Sequence, residues 1–207
     1  MGIDEQGGHN RPDVELSSCV SLDRRGGSVD VRHFAARGTE GLVVSKENLV
    51  DAPLIVRVQS SCVFSEAIEA IDCDCASQLH ASLDLIGAGG GIVIYTYEEG
   101  RGAGLRNKIE AVKLQQDHGY DTARAFARLG FLPDPRSYEA AAAILHSLLR
   151  PSQEVKLLTN NPSKTEALIR AGINIIDVIP LVIRSNETVA RYLAEKARVL
   201  GHVIEDA

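Results

Sequence analysis

Short β-branched runs dominate the first quarter of the chain, and helical periods take over after it. SVDVRHF, GLVVS and PLIVRV, all within residues 14–58, alternate in the strand manner and are separated by Gly, Asp and Pro. Cys19 falls early in this strand-like stretch and reads as a buried structural thiol. After Cys75 the period lengthens. Leu79, Leu83 and Ile86 share one helical face, and the GAGGG run from Gly87 ends that helix. IVIYTY predicts a buried strand and EEGRGAG a loop, and Leu105, Ile109 and Val112 mark one face of the next helix. A shorter helix over residues 122–129 precedes the turn FLPDPRS. Asp134 reads as an N-cap with Pro135 at the first helical position, opening the alanine-rich helix SYEAAAAILHSLL. VKLLT predicts a strand, and Asn161 with Pro162 starts a second capped helix that ends near Gly172. INIIDVIPLVI reads as a strand, and a last helix spans residues 187–200 and stops at Gly201. The whole is one α+β domain over residues 14–207, β-rich first and then alternating helix and strand. Residues 1–13 form a polar lead-in that reads as disordered, and there is no internal repeat and no long linker.

Composition narrows the class. With 207 residues, 44% of them hydrophobic and 24% charged, the chain is globular and long enough for an ordinary core. A net charge of -6 argues against a general nucleic-acid binder, whose footprint is basic, but leaves room for a small anion held by a few local arginines. No apolar run reaches membrane-spanning length, and the N-terminus lacks a signal-peptide core. The expectation is a soluble cytoplasmic protein with reduced thiols, bound neither to nucleic acid nor to a membrane.

Three of the four cysteines lie within residues 62–75, spaced C-x10-C-x-C. Cys73 and Cys75 are two apart, so an extended segment would point both thiols to one side, and a loop would return Cys62 to them. Three soft ligands without a fourth match a zinc site with one open position, where bound water is acidified to a pKa of about 7. Two other readings stay open: small buried hydrophobes, or a disulfide between Cys62 and Cys73 in a chain with no other sign of an oxidising compartment. The neighbouring Glu66, Glu69, Asp72 and Asp74 either favour a cation or form a solvated face.

Anion-binding corners accompany the cysteines. In EEGRGAGL the glycines let backbone N–H groups approach an anion at a helix start, and Arg101 adds a cation; neither a Walker A loop nor G-x-G-x-x-G is present. LLTNNPSK repeats the arrangement, with Thr159 and Lys164 near a capped helix start. Arg57 precedes Cys62 by five residues and suits bidentate phosphate contact. Asp134 and Arg136 flank Pro135. Each of these has a plain reading as a cap, a connecting loop or a surface charge; together they describe metal-assisted hydrolysis of a phosphorylated small molecule.

The same residues carry a resemblance. R-V-x-S-x-C, C-D-C, EGRGAGL-x-NKI, GYDT, LGF-x-x-D-x-R, LLTNNP-x-K, AGINI and a closing YL-x-x-KA-x-x-x-GH are similar, in order and spacing, to the motifs of GTP cyclohydrolase II over residues 28–203. The resemblance implies zinc on Cys62, Cys73 and Cys75, attack of zinc-bound water on C8 of guanine, and release of formate. It also implies loss of pyrophosphate from a magnesium-bridged triphosphate, to leave a diaminopyrimidinone ribosyl phosphate. Asp134 matches the family's proton acceptor and Arg136 the arginine acting at the α-phosphate. Arg57, Val58, Gln59, Ser60, Ser61, Gln78, Glu99, Gly100, Arg101, Thr122, Thr159 and Lys164 match the residues around the nucleotide, and the family's usual state is a homodimer.

Departures from the family pattern surround the first cysteine. Gln59 and Ser61 stand for His and Glu, C-V-F-S-E-A-I for C-L-T-G-D-A-L, Asp72 for arginine and Ala76 for glycine. A family tyrosine tied to completing the hydrolysis falls on Val112 or Lys113. Three outcomes are compatible: the full reaction, a cyclohydrolase that keeps the formyl group or takes another purine nucleotide, or a non-catalytic nucleotide-binding relative.

Overall fold

The computed structural model describes residues 14–47, 53–132, 136–182, 193–194, 197–198 and 201. The expected lead-in at 1–13, the residues Asp134 and Pro135, and most of the expected last helix lie outside them. The fold is α+β. Among the described residues it holds an eight-stranded sheet and six helices.

The sheet begins as a local meander. β1 (Val14–Leu16) and β2 (Val20–Arg24) both pair antiparallel with the long β3 (Gly27–Ala36), which returns as β4 (Thr39–Lys46). Arg37 and Gly38, at φ 48° and 78°, form the two-residue connection. Two positive φ values match the right-handed twist of a hairpin, and this is why glycine closes the turn. β4 then pairs antiparallel with β6 (Gly91–Thr96). Gly41 permits the close approach there, since a Cβ would run into the Tyr95 carbonyl.

Beyond β6 the sheet turns parallel. β5 (Leu54–Ser60) lies between β6 and β7 (Val155–Leu158), and β8 (Ile175–Ile179) forms the edge. Helices make the crossovers: α1 (Val63–Glu66) and α2 (Cys75–Gly89), then α3 (Leu105–His118), α4 (Thr122–Arg128) and α5 (Glu139–Leu148), then α6 (Pro162–Arg170). Phe34, Val43, Val56, Ile94 and Leu157 on the strands meet Ile144 and Leu145 of α5 and Leu168 of α6 in the main core. Full burial of each such side chain is worth about 1.5–3 kcal/mol. Ala140, Ala141 and Ala142 on α5 belong to the same core, where their small side chains let the helix lie close.

Several expectations need correction. Cys19 is exposed, in the link between β1 and β2, rather than buried. The alanine-rich helix starts at Glu139 with Tyr138 at its N-cap, so Asp134 does not cap it; instead Ser137 Oγ accepts from the Glu139 N–H at 3.2 Å. On α3 Leu105 and Ile109 are exposed, and the buried residue is Ala111. On α2 the expected face holds, with Ile86 buried and Leu79 and Leu83 half-buried, but Gln78 and Ser82 are buried beside them. Cys73 lies in a bend and Cys75 opens α2, so the pair is not extended. Asn161 does cap α6, accepting from the Ser163 N–H at 3.0 Å, with Pro162 in the first turn. No helix among the described residues is long and apolar enough to cross a membrane.

Candidate metal centre and anion cavity

Because β5, β6 and β7 run parallel, their carboxyl ends emerge on one edge. β5 runs out into Ser61 and Cys62, β6 into the turn Glu99–Gly102, and β7 into Thr159, Asn160 and Asn161. Ligands of open α/β sheets bind at this kind of edge. Here it opens into a cavity of about 820 Å³.

The three thiols stand on its wall. Cys62, Cys73 and Cys75 bring their sulfurs within 4.8 Å of one another, and Cys62 and Cys73 are 3.7 Å apart. A tetrahedral zinc with bonds near 2.3 Å separates its sulfurs by about 3.8 Å, so this set fits a metal. The spacing also leaves the cysteines unbonded, since a disulfide would hold its sulfurs at about 2.05 Å. The hydrogen bond from Cys73 holds the Cys62 thiol far below its usual range and pushes Cys73 itself up.

The chain around Cys62 is pinned from two sides. Glu66 accepts the Cys62 N–H at 3.1 Å, the Tyr95 hydroxyl at 2.5 Å and Gln59 Nε2 at 3.2 Å. Burial, then Glu66, drives the Tyr95 hydroxyl well above its ordinary pKa, so it remains a donor. Glu99 accepts the Val63 N–H at 2.7 Å on one oxygen and Lys108 Nζ at 2.6 Å on the other. Lys108 Nζ in turn reaches Cys62 Sγ at 3.2 Å. Of the four acidic neighbours, Glu66 and Asp74 are thus drawn inward while Glu69 and Asp72 are exposed.

The remaining wall is cationic. Arg57, Arg101, Lys108, Arg136 and Lys164 line the cavity against the carboxylates of Asp72 and Glu99. Arg57 is buried, and burial pulls its guanidinium down to about 10, still far above neutrality. Gln59 Oε1 and Gln78 Oε1 take Arg57 Nη2 at 2.6 and 2.7 Å, and the Leu158 carbonyl takes Nη1 at 3.0 Å. Lys164 is buried and donates to the Val58 carbonyl at 2.6 Å. Arg136 and Lys164 stand 5.9 and 5.5 Å from the Tyr138 ring centroid. Gly100 and Arg101 both adopt left-handed backbone, at φ 62° and 59°. For an arginine that conformation is costly, and such strain gathers at functional sites.

All the described positions predicted for the site meet at this cavity: Val58, Ser60, Ser61, Thr122 and Thr159 line it together with the residues above. Asp134 lies outside the described residues. Lys108 had no assigned role, and Glu66 was expected only to favour a cation or to sit on a solvated face. Lys108 sits in the NKI motif, and its position on α3 gives no hint of a sulfur neighbour. Val112, not Lys113, lines the cavity; Lys113 pairs with Asp117 on the exposed side at 2.7 Å.

Comparison with known proteins agrees with this geometry. A family profile described as GTP cyclohydrolase II matches residues 16–180. The chain belongs to the GTP cyclohydrolase II family. It is 38% identical to a GTP cyclohydrolase-2 of Campylobacter hominis, over 93% of this chain and 97% of that one. A GTP cyclohydrolase-2 of Klebsiella pneumoniae is 44% identical over 74% of this chain and 76% of its own length. The riboflavin biosynthesis protein RibBA of Bacillus subtilis is also 44% identical over 74% of this chain, but the chain spans only 38% of that protein. The match covers the cysteine wall and the cationic corners alike, since all of them fall within residues 16–180.

Proposed function

We propose that the protein opens the imidazole ring of the guanine in GTP by zinc-dependent hydrolysis, releasing formate and pyrophosphate and leaving a 2,5-diamino-6-ribosylamino-pyrimidinone phosphate. One observation carries this reading: three thiols spaced for a tetrahedral metal share an 820 Å³ cavity with five cationic side chains. That volume lies in the range of small-molecule sites and suits a nucleotide.

Cys62, Cys73 and Cys75 would hold the zinc. A zinc ion so held supplies a Lewis acid that acidifies water at its open coordination position. Arg101, Arg136 and Lys164 offset the triphosphate charge, and magnesium would neutralise the rest of it. Arg136 acts at the α-phosphate, and Asp134 accepts a proton during ring opening. Gln59, Ser60, Ser61, Gln78, Thr122 and Thr159 contact the nucleotide. Residues 14–207 work as one catalytic unit, in a homodimer and in the cytoplasm, within riboflavin biosynthesis.

A second reading follows from Val112. It lines the cavity, and no tyrosine does among the described residues. A site without that phenol would stop after ring opening and keep the formyl group.

Incubating GTP with magnesium and zinc-loaded protein decides between them. Mass spectrometry of the nucleotide, with separate formate and pyrophosphate assays, is expected to show both small products and the diaminopyrimidinone. Cys73→Ser should lose zinc and all ring opening, while Arg136→Ala should keep zinc and lose turnover. A formylated product establishes the second reading, and GTP left intact by zinc-replete protein overturns both.

A further inference from the structure

We propose that Lys108 is a positioning residue of the three-cysteine centre, its ammonium donating to Cys62 Sγ and so weakening that thiolate as an electron donor to a bound metal. The inference rests on the metal reading above and deepens it.

The ammonium is enclosed on three sides. Glu99 Oε1 lies 2.6 Å away, Cys62 Sγ 3.2 Å, and the Phe64 ring centroid 4.4 Å. The Lys108 side chain is 18% exposed and that of Glu99 12%, so solvent screens the group little. The stem is held as well: a Cβ at Gly100 would stand 3.1 Å from Lys108 Cβ, so the left-handed glycine lets the turn close against the lysine.

Three thiolates around a divalent cation leave one net negative charge, an electron-rich ligand set for a Lewis acid. A hydrogen bond from a cation to one sulfur draws density off that sulfur. Partners behind the ligands commonly tune metals in this way. Glu99 sets the strength of the effect, because it competes with Cys62 for the same ammonium.

Cobalt(II) in place of zinc makes the sulfur's donor strength visible as the thiolate-to-cobalt charge-transfer band. The wild-type protein, Lys108→Met, Lys108→Arg and Glu99→Gln are each loaded with cobalt(II), and the metal content is counted. With one cobalt per chain, Lys108→Met should move the band to lower energy, because an unmodified thiolate gives up its electron more easily. Lys108→Arg, which keeps a cationic donor, should restore the wild-type position. A Lys108→Met protein with one cobalt and an unmoved band overturns the proposal, as does an arginine variant displaced as far as the methionine one. If Lys108→Met takes up no metal, Glu99→Gln decides. Freed of its carboxylate, Lys108 pulls harder on the sulfur and should shift the band to higher energy; an unmoved band overturns the proposal. A wild-type chain that binds no cobalt removes the metal reading itself, and this inference with it.

Discussion

Arg57 directs its guanidinium into the protein, where Gln59, Gln78 and the Leu158 carbonyl accept from it. It thereby ties the end of β5 to α2 and β7, the elements that frame the cavity. Arg57→Met would leave three buried acceptors without donors, at about 1–3 kcal/mol each. The expected loss in urea unfolding is roughly 3 kcal/mol or more, with Arg57→Lys recovering only part, since an ammonium cannot reproduce the planar fork. A methionine variant within about 1 kcal/mol of wild type would show that water or rearrangement satisfies the acceptors. At this scale the chain was legible where chemistry sits in the spacing. C-x10-C-x-C announced the thiols, and Asn161 with Pro162 announced a cap. Lys108 was not legible, because its role arises from a sulfur 46 residues away that only the fold brings near.

Among the elements, α4 depends most visibly on its cap. Asp121 accepts the Arg124 N–H at 2.8 Å and pairs with Arg198 at 2.8 Å. Those two contacts, the Arg124 N–H foremost, hold its carboxyl below the ordinary carboxylate range. Its stabilising effect is therefore complete above the unfolded pKa of about 4 and is lost as the pH falls through the lower folded value. Asp121→Ala should cost about 1 kcal/mol at neutral pH. Asp121→Asn should keep the cap and remove this acid dependence, as urea titrations at neutral and acid pH would show. An alanine variant as stable as wild type would mean that the helix is held by packing alone. The face of α3 shows why periodicity misled. The rule assumes that a helix buries its apolar side. α3 turns Lys108, Ala111, Val112 and Gln115 to a polar cavity and leaves Leu105 and Ile109 outside. α2 buries Gln78 against Arg57 for the same reason. A helix that walls a polar site inverts the pattern that a core-facing helix would show.

For the molecule as a whole, the metal reading predicts a local dependence of stability on zinc. Zinc at a thousand times its Kd adds about 4 kcal/mol to the folded state. Stripping it with a chelator should lower the melting temperature, and hydrogen-exchange protection should fall in residues 61–75 and 99–108 while β3, β4 and β6 keep theirs. Loss of protection across the entire sheet would show instead that the centre underpins the whole fold. The order of the strands carries a different consequence, one of time. β3 and β4 meet across a two-residue turn and β5 finds β6 early, Ile55 opposite Gly91, but the other edge of β5 waits for β7: Leu54 pairs with Val155, about a hundred residues on. Contacts of long sequence separation close late in folding. Val43→Ala, in the meander, should therefore slow refolding, whereas Leu157→Ala should mainly speed unfolding; equal effects on the folding limb would refute that order. In that order the chamber is finished last. A chain leaving the ribosome carries Cys62, Cys73 and Cys75 beside an unfinished cavity until Val155 has been made and docked, so the metal reading requires thiols that stay reduced in an incomplete protein.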